Sequence, residues 1–380
     1  MNTRIPSFLS RPVALAATAL ATALLATGPA QAAHGVAATA GQTDAAPSTR
    51  PLPVVASFSI LADLVKQVGG DRVAVESLVK AGGDTHVFQP GPAQVRQLSS
   101  ASLVVVNGLG FEGWMPRLIG SSGYKGPVVE AARGLQAMKA TDDHHHHGDD
   151  ADEDDHDHEG PHGHDHDHDG PHGHDHDEDG PHGHSHADHD HDEASHGHHH
   201  HHHGGLDPHA WQDALNVRHY VANIAEGLCQ AAPADCAGFR ERARAYDQKL
   251  LELDQEIHQA VDATPTDRRR VMVSHAAFGY YGRAYHITFM APVGISTEEE
   301  PSAAVVANLI RQARQQNVQA FFFENNSDPR LLKRMASELK NVTIGELYAD
   351  SLSLANGPAA DYLSMMRYNT RAISQALSKK

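Results

Sequence analysis

Short apolar runs alternate with amphipathic segments along most of this chain from Leu52 onward. In its first part four runs have the length of buried strands: Leu52–Ser57, Val73–Val79, Leu103–Asn107 and Val128–Glu130. Pro92, which follows Gly91, and the segment from Trp114 to Ile119 predict helices in two of the intervals. This alternation predicts a parallel sheet with helices on both faces.

A long amphipathic helix is predicted over residues 235–264. Its apolar positions recur at steps of three and four: Phe239, Ala243, Tyr246, Leu250, Leu253, Ile257 and Val261. At 1.5 Å per residue, about 30 residues would span about 45 Å, which exceeds the width of one small domain. We therefore expect this helix to link two domains.

The alternation resumes after Pro265. The predicted strands are Val271–Ser274, Ile287–Ala291, Ala320–Phe323 and Val342–Gly345, and helices are predicted from about Ser302, Pro329 and Ala359. The predicted fold class is α/β, with two doubly wound domains over residues 52–230 and 266–380. In such folds ligands bind at the carboxyl ends of the strands, so we expect a site in the cleft between the domains.

A low-complexity segment, residues 142–205, interrupts the first domain. A ten-residue repeat begins at Gly160, Gly170 and Gly180, and residues 142–203 hold 25 of the 32 His and 21 of the 48 Asp and Glu, with no Lys or Arg. The segment has almost no apolar residue, so we predict a disordered surface loop. Without it the net charge changes from −18 to +3. The remaining chain has no basic footprint for nucleic acid.

The N-terminus has the order of a secretory signal peptide. Arg4 and Arg11 precede an apolar run, Val13 to Thr27, and small residues surround a cleavage site after Ala32. A membrane anchor is the alternative, but the run is shorter than a span and rich in Ala. We predict a signal peptide over residues 1–32, a disordered lead-in over 33–51 and a periplasmic protein that is not membrane-inserted. No Cys follows the cleavage site to carry a lipid.

The two cysteines, Cys229 and Cys236, lie between two helical patterns. In an oxidising compartment we expect them to form a disulfide that pins the corner between the helices. Two free thiols are the alternative.

Six His remain outside the insert and the first 51 residues: His86, His209, His219, His258, His275 and His286. His219 and His258 fall in amphipathic helices and His286 opens a predicted strand, so we interpret these three as ordinary surface or packing residues.

The other three differ in context, because each lies at a strand end or on a loop. Asp350 occupies a similar place after the last strand. Together, His86, His209, His275 and Asp350 offer three imidazoles and one carboxylate, a set that zinc accepts. The four are spread over 265 positions, so spacing alone is a weak signal.

Several stretches resemble the metal-ion solute-binding proteins, and specifically the zinc branch of that family. They are GGDTHVFQPGPAQVRQLSSASLVVVNGLGFEGWM, LDPHAWQD, VSHAAFGYYGRAY, EEEPSA and LYADSLS, and together they extend over nearly the whole chain from Leu52. An acidic His-rich insert before DPHAW is itself a feature of that branch. The family consists of periplasmic receptors that serve ABC importers.

The resemblance implies that zinc is bound by His86, His209, His275 and Asp350. Thr85 stands where some members have an acidic residue, so no fifth ligand is expected there. Manganese-binding members have a carboxylate at the third position, and imidazole at that position favours zinc.

The implied partners are a zinc ion and the inner-membrane ABC permease of a zinc importer, and we expect a monomer. The insert is expected to collect zinc weakly through accessory ligands, represented by His164, His174, His184, His198, His199 and His200. Glu112 and Glu298 to Glu300 also lie in matched motifs, where helix capping and domain packing are the preferred interpretation.

Other function classes stay open at this stage. A zinc hydrolase would also use three His, but no HExxH is present and a fourth protein ligand would close the coordination shell that a catalytic zinc leaves open. A periplasmic zinc buffer or chaperone could act mainly through the insert. A manganese-specific receptor of the same family is the remaining alternative. The leading interpretation is a receptor without enzymatic activity.

Overall fold

The computed structural model describes residues 50–140 and 205–378. Within these residues the strands are β1 (Leu52–Phe58), β2 (Val73–Val79), β3 (Leu103–Val106), β4 (Val128–Glu130), β5 (Arg270–Val273), β6 (Thr288–Met290), β7 (Ala320–Glu324) and β8 (Thr343–Leu347). The α-helices are α1 (Ser59–Gly69), α2 (Pro92–Ser99), α3 (Met115–Ser122), α4 (Ala214–Ala231), α5 (Cys236–Asp262), α6 (Gly279–Tyr285), α7 (Ala303–Gln315), α8 (Arg330–Ser337) and α9 (Tyr362–Ser378).

The strands form two four-stranded sheets, ordered β2-β1-β3-β4 and β6-β5-β7-β8. Every pairing is parallel; Val54, for example, pairs with Val75 on one side and Leu103 on the other. The predicted α/β class with two parallel sheets is therefore confirmed. The observed strands begin and end within a few residues of the predicted ones, because the short apolar runs define them.

Residues 50–231, which carry the first sheet, are here called the first half, and residues 265–378, which carry the second sheet, the second half. Helix α5 connects the two halves. All seven apolar positions predicted along its length are buried. The helix packs against α1 and α4 of the first half and α9 of the second. One apolar core includes residues of both sheets, such as Val105 and Phe322, as well as α5. The division into two separate domains stays a prediction.

Helix α6 was not predicted from the sequence. It contains Gly279 and Gly282, which lower helix propensity, yet it buries Tyr280, Tyr281 and Tyr285. Tertiary packing of these rings therefore outweighs local preference. His286 ends this helix in the left-handed conformation and is exposed, rather than opening β6.

The cysteines are paired, which confirms the expected disulfide. Cys229 lies in the last turn of α4 and Cys236 begins α5, so the bond pins the corner between these helices.

Several sequence predictions concern residues outside the described ones. These are the signal peptide, nearly all of the lead-in, the insert and its candidate ligands His164, His174, His184 and His198 to His200. Within residues 50–140 and 205–378, no helix is both long and apolar enough to cross a membrane.

The continuous core leads to a prediction about motion. Because α5 packs against both halves, metal binding should change the radius of gyration by no more than about 1–2 Å, the scale of helix shifts. Small-angle scattering with and without metal measures this in protein that lacks residues 142–203, since metal binding by the insert would itself change the radius. A His275→Ala variant given the same metal is the control. A metal-dependent change of many ångströms would contradict the prediction.

Candidate metal centre

The four predicted ligands come together at one place. His86 lies in the loop after β2, His209 precedes α4, His275 follows β5, and Asp350 lies in the loop after β8. One ligand atom from each lies within 4.8 Å of the others. The carboxyl ends of strands from both sheets thus contribute to a single cluster, as expected for parallel α/β folds.

The separations between the ligand atoms suit a small cation. Asp350 Oδ2 lies 3.3 Å from His86 Nε2 and 3.2 Å from His275 Nε2. Asp350 Oδ1 lies 3.6 Å from His209 Nε2, and the Nε2 atoms of His86 and His209 are 3.3 Å apart. Four ligands at about 2.0–2.1 Å from a tetrahedral ion lie about 3.3–3.4 Å apart.

The cluster is buried. The exposed fractions of the side chains are 6% for His86, 1% for His275 and 0% for His209 and Asp350. Both carboxylate oxygens of Asp350 and Nε2 of His275 have no hydrogen-bond partner among the described residues. Burying such atoms unpaired is costly, and coordination of a cation would satisfy all three.

Each histidine of the cluster donates its backbone N–H to a carboxylate. His86 donates to Asp84 Oδ1 (2.9 Å) and His209 to Asp207 Oδ1 (2.9 Å). These two follow one local pattern, Asp-X-His. His275 donates to Glu324 Oε1 (3.1 Å) across the sheet. The carboxylates fix the backbone at the three positions from which the imidazoles project.

Two of these carboxylates also orient the rings. Asp207 Oδ1 lies 2.8 Å from His209 Nδ1, and Glu324 Oε2 lies 2.5 Å from His275 Nδ1. A carboxylate on Nδ1 selects the tautomer that leaves Nε2 free to bind a metal and makes that nitrogen more basic. The sequence prediction missed both residues. The Asp-X-His repeat and a Glu ending a buried strand are the signals that could have identified them.

Helix α6 of the second half supports Asp207. The Tyr280 hydroxyl donates to Asp207 O (2.9 Å) and accepts from Met138 N (2.9 Å). A Cβ at Gly279 would lie 2.7 Å from Asp207 Oδ2, so this close approach requires glycine. The glycine that makes α6 hard to predict thereby gives the Asp207 carboxylate room beside the helix.

The Asp350 loop is fixed to the first half. Ala349 O accepts from both Trp211 Nε1 and Gln212 Nε2, each at 2.9 Å. Ser351 Oγ accepts from Gly82 N at 2.6 Å. Asp350 is therefore held between the segment that carries His209 and the loop that carries His86.

The charges in the cluster are coupled. Burial alone would raise the pKa of Asp350, but the imidazoles of His275 and His209 outweigh it and lower this pKa well below its usual range. Burial alone would lower the pKa of His275, but the carboxylates of Glu324 and Asp350 raise it well above its usual value. Asp350 is thus available as an anionic ligand, and a metal bound at His275 would have to displace a proton.

Glu112 is buried and acts inside the first half. It accepts from Ser57 Oγ and Asn107 N, each at 2.6 Å, and Asn107 Nδ2 donates to Pro208 O beside His209. Burial raises the pKa of Glu112 to about 7, although these hydrogen bonds favour the ionised form. The packing interpretation fits Glu112. It does not hold for Glu298 to Glu300. These three residues are exposed, so they do not pack between the halves, and the side chain that caps α7 is that of Ser302.

Replacing Glu324 with glutamine is expected to weaken metal binding by about 10–100-fold, the usual cost of losing an outer-shell partner. The amide keeps the size of the side chain but loses the charge that supports His275. Competition with a chelator of known affinity measures the change, in protein that lacks residues 142–203 so that the insert binds no metal. Glu346→Gln on the neighbouring strand β8 is the control, and equal affinities for the two variants would contradict this role.

Residues 54–376 match the protein family described as zinc-uptake complex component A, periplasmic. The manganese-binding lipoprotein MntA of Halalkalibacterium halodurans is 25% identical over 328 residues, 86% of this chain and 89% of that protein. The manganese ABC transporter substrate-binding lipoprotein PsaA of Streptococcus pneumoniae is 25% identical over 349 residues, 91% and 95% of the two chains.

Solved structures with the same fold include the periplasmic zinc-binding protein TroA from Treponema pallidum. It superposes with a TM-score of 0.67 at 23% identity, over 87% of this chain and 100% of that one. A manganese-bound periplasmic metal-binding protein from Candidatus Liberibacter asiaticus gives a TM-score of 0.64 at 21% identity, over 86% and 99%. At these identities the likeness concerns the fold.

Proposed function

Because the chain belongs to the family of periplasmic zinc-uptake component A proteins, it is a metal receptor and not an enzyme, and we propose that its ion is zinc. In this proposal one zinc ion binds to His86, His209, His275 and Asp350 between the two halves of the molecule. The receptor then delivers it to an inner-membrane ABC permease. The relatives are named as parts of such importers, which supports the permease as partner.

The donor set is the observation that carries the choice of zinc. Three imidazole nitrogens and one carboxylate converge within 4.8 Å in a buried cluster. Imidazole suits zinc, whereas manganese prefers carboxylate, carbonyl and water oxygens. The orienting carboxylates on His209 and His275 make these nitrogens better donors still.

Manganese is the second candidate, because relatives at about 25% identity are named for it. Against it stands His275, an imidazole that Glu324 holds in the ligand position. A manganese receptor of this family would be expected to have a carboxylate there.

Metal analysis of the full chain, exported by cells and purified without added metal, tests the choice of ion. A second preparation lacks residues 142–203, so that the insert contributes nothing. That deletion is compatible with the local structure, because Ala140 N donates to Gly205 O, and Thr141 and Gly204 would join this pair as a two-residue turn. One zinc per shortened chain, not displaced by excess manganese, is the expected result. Stoichiometric manganese, or displacement of zinc by manganese, would overturn the proposal.

We propose further that the insert collects zinc for this site. The described chain on either side of it forms a short antiparallel pairing, in which Lys139 pairs with Leu206. Asp207, the next residue, orients His209. A segment with 25 His and 21 acidic residues is thus attached directly beside a ligand of the main site. A buffer acting through the insert alone would not need the oriented four-ligand cluster.

A further inference from the structure

Three carboxylates accept the backbone N–H of a histidine in the cluster, and Asp84 is the one of the three that does not also contact the imidazole ring. His209 and His275 each also have a carboxylate at Nδ1, whereas Nδ1 of His86 has no hydrogen-bond partner among residues 50–140 and 205–378. His86 is also the most exposed of the four ligands. Its position therefore depends on the backbone bond to Asp84, on the bond from Trp114 Nε1 to the neighbouring Thr85 O (2.9 Å), and on an edge-to-face contact with Phe111, 4.9 Å away between centroids.

The second oxygen of Asp84 reaches the other half of the molecule. Thr297 Oγ1 donates to Asp84 Oδ2 at 2.8 Å. Thr297 belongs to the segment between β6 and α7, which lies beside another ligand: Val293 pairs with His275, and Ala276 N donates to Gly294 O at 3.1 Å. His275 is thus connected to His86 in three steps: through its pairing with Val293, along the chain to Thr297, and from Thr297 through Asp84 to the backbone of His86.

We propose that Asp84 and Thr297 form a latch that sets how fast the metal leaves. Asp84 is a positioning residue: with one oxygen it holds the His86 backbone, and with the other it ties the His86 loop to the segment beside His275. The inference rests on the proposed metal site but not on the identity of the ion.

The arrangement of the other ligands explains why the latch acts on release. His209 and Asp350 are joined through Ala349 O, which accepts from Trp211 and Gln212. The start of the His86 loop is likewise held by the bond from Gly82 N to Ser351 Oγ. The part of the loop around His86 is tied to the second half by the bond from Thr297 Oγ1 to Asp84. Breaking that tie leaves the most exposed ligand held only from its own half, by Asp84 and by Trp114 at Thr85 O, so His86 can move away from the other ligands more often. Dissociation should then accelerate while encounter with the metal changes little.

The test uses the full chain loaded with one equivalent of zinc and chased with excess chromophoric chelator, which prevents recapture by the insert. Thr297→Val should raise the rate constant of the slowest release phase about tenfold, the scale of one hydrogen bond to a charged group. Thr297→Ser keeps the hydroxyl and should restore the slow rate. Ser296→Ala is the matched control, because within the described part of the chain Ser296 Oγ accepts from Glu298 N of the same segment and has no other partner.

A double-mutant cycle completes the test. In an Asp84→Ala background, Thr297→Val should add nothing to the rate, because the bond is already lost. A change below threefold in Thr297→Val, equally fast release from Thr297→Ser, or additive effects in the cycle would each overturn the latch while leaving the metal site intact. A wild-type chain that retains no ion would overturn the site and the latch together.

Discussion

Replacing His275 with alanine is expected to weaken zinc binding by more than about 100-fold, beyond the usual cost of losing an outer-shell partner. The change removes one of three candidate nitrogen ligands, and Glu324, which contacts Nδ1 of His275, then has no ring to orient. Competition titration with a high-affinity chelator measures the loss.

The titration is made with the protein that lacks residues 142–203, because zinc binding by the 25 His of that segment would otherwise hide the loss of affinity at the four-residue cluster. His219→Ala is the control, since His219 is exposed on α4 and has no contact with the cluster among the described residues. Circular dichroism of the metal-free variants separates lost affinity from lost fold. Unchanged affinity in a folded His275→Ala protein would show that His275 is not a ligand.

The fold could be predicted from the sequence because its strands are short apolar runs and its linking helix has a regular apolar stripe. The seven apolar positions from Phe239 to Val261 could be predicted from their periodicity alone, and all of them are buried. Helix α6 was not predicted because its two glycines lower the helix propensity of the segment. It is stabilised by tertiary contacts, since it buries three Tyr rings and one of them donates to Asp207 O.

The candidate ligands could be selected by context and by resemblance, but their orienting partners could not. Glu324 follows Phe323 at the end of a strand, and only the pairing of β5 with β7 brings it to His275. The bond between Asp84 and Thr297 joins residues 213 positions apart, so neither local pattern nor spacing suggests it. Such contacts are set by strand pairing within a sheet and by how the two halves of the molecule meet, rather than by any single segment.

Zinc binding by the insert is expected to disappear as the pH falls from 7.5 to 5.5. At pH 7.5 its 25 imidazoles are mostly neutral and can donate lone pairs, and 21 carboxylates attract cations. With a usual imidazole pKa of about 6.5, about nine-tenths of these rings are protonated at pH 5.5, and a protonated ring cannot bind metal. Complete protonation would change the net charge of the segment from −21 to +4, so attraction would become repulsion.

Titration of zinc into the full-length and shortened proteins at both pH values isolates this contribution, because the shortened protein supplies the baseline for the main site. We expect several additional ions in the full-length protein at pH 7.5, each bound more weakly than the ion of the four-ligand cluster. A chain that must be ordered around an ion loses conformational entropy, whereas a preformed cluster loses little. Equal uptake by both proteins at pH 7.5 would mean that the insert stores no zinc. If the additional ions remain at pH 5.5, carboxylates rather than imidazoles hold them.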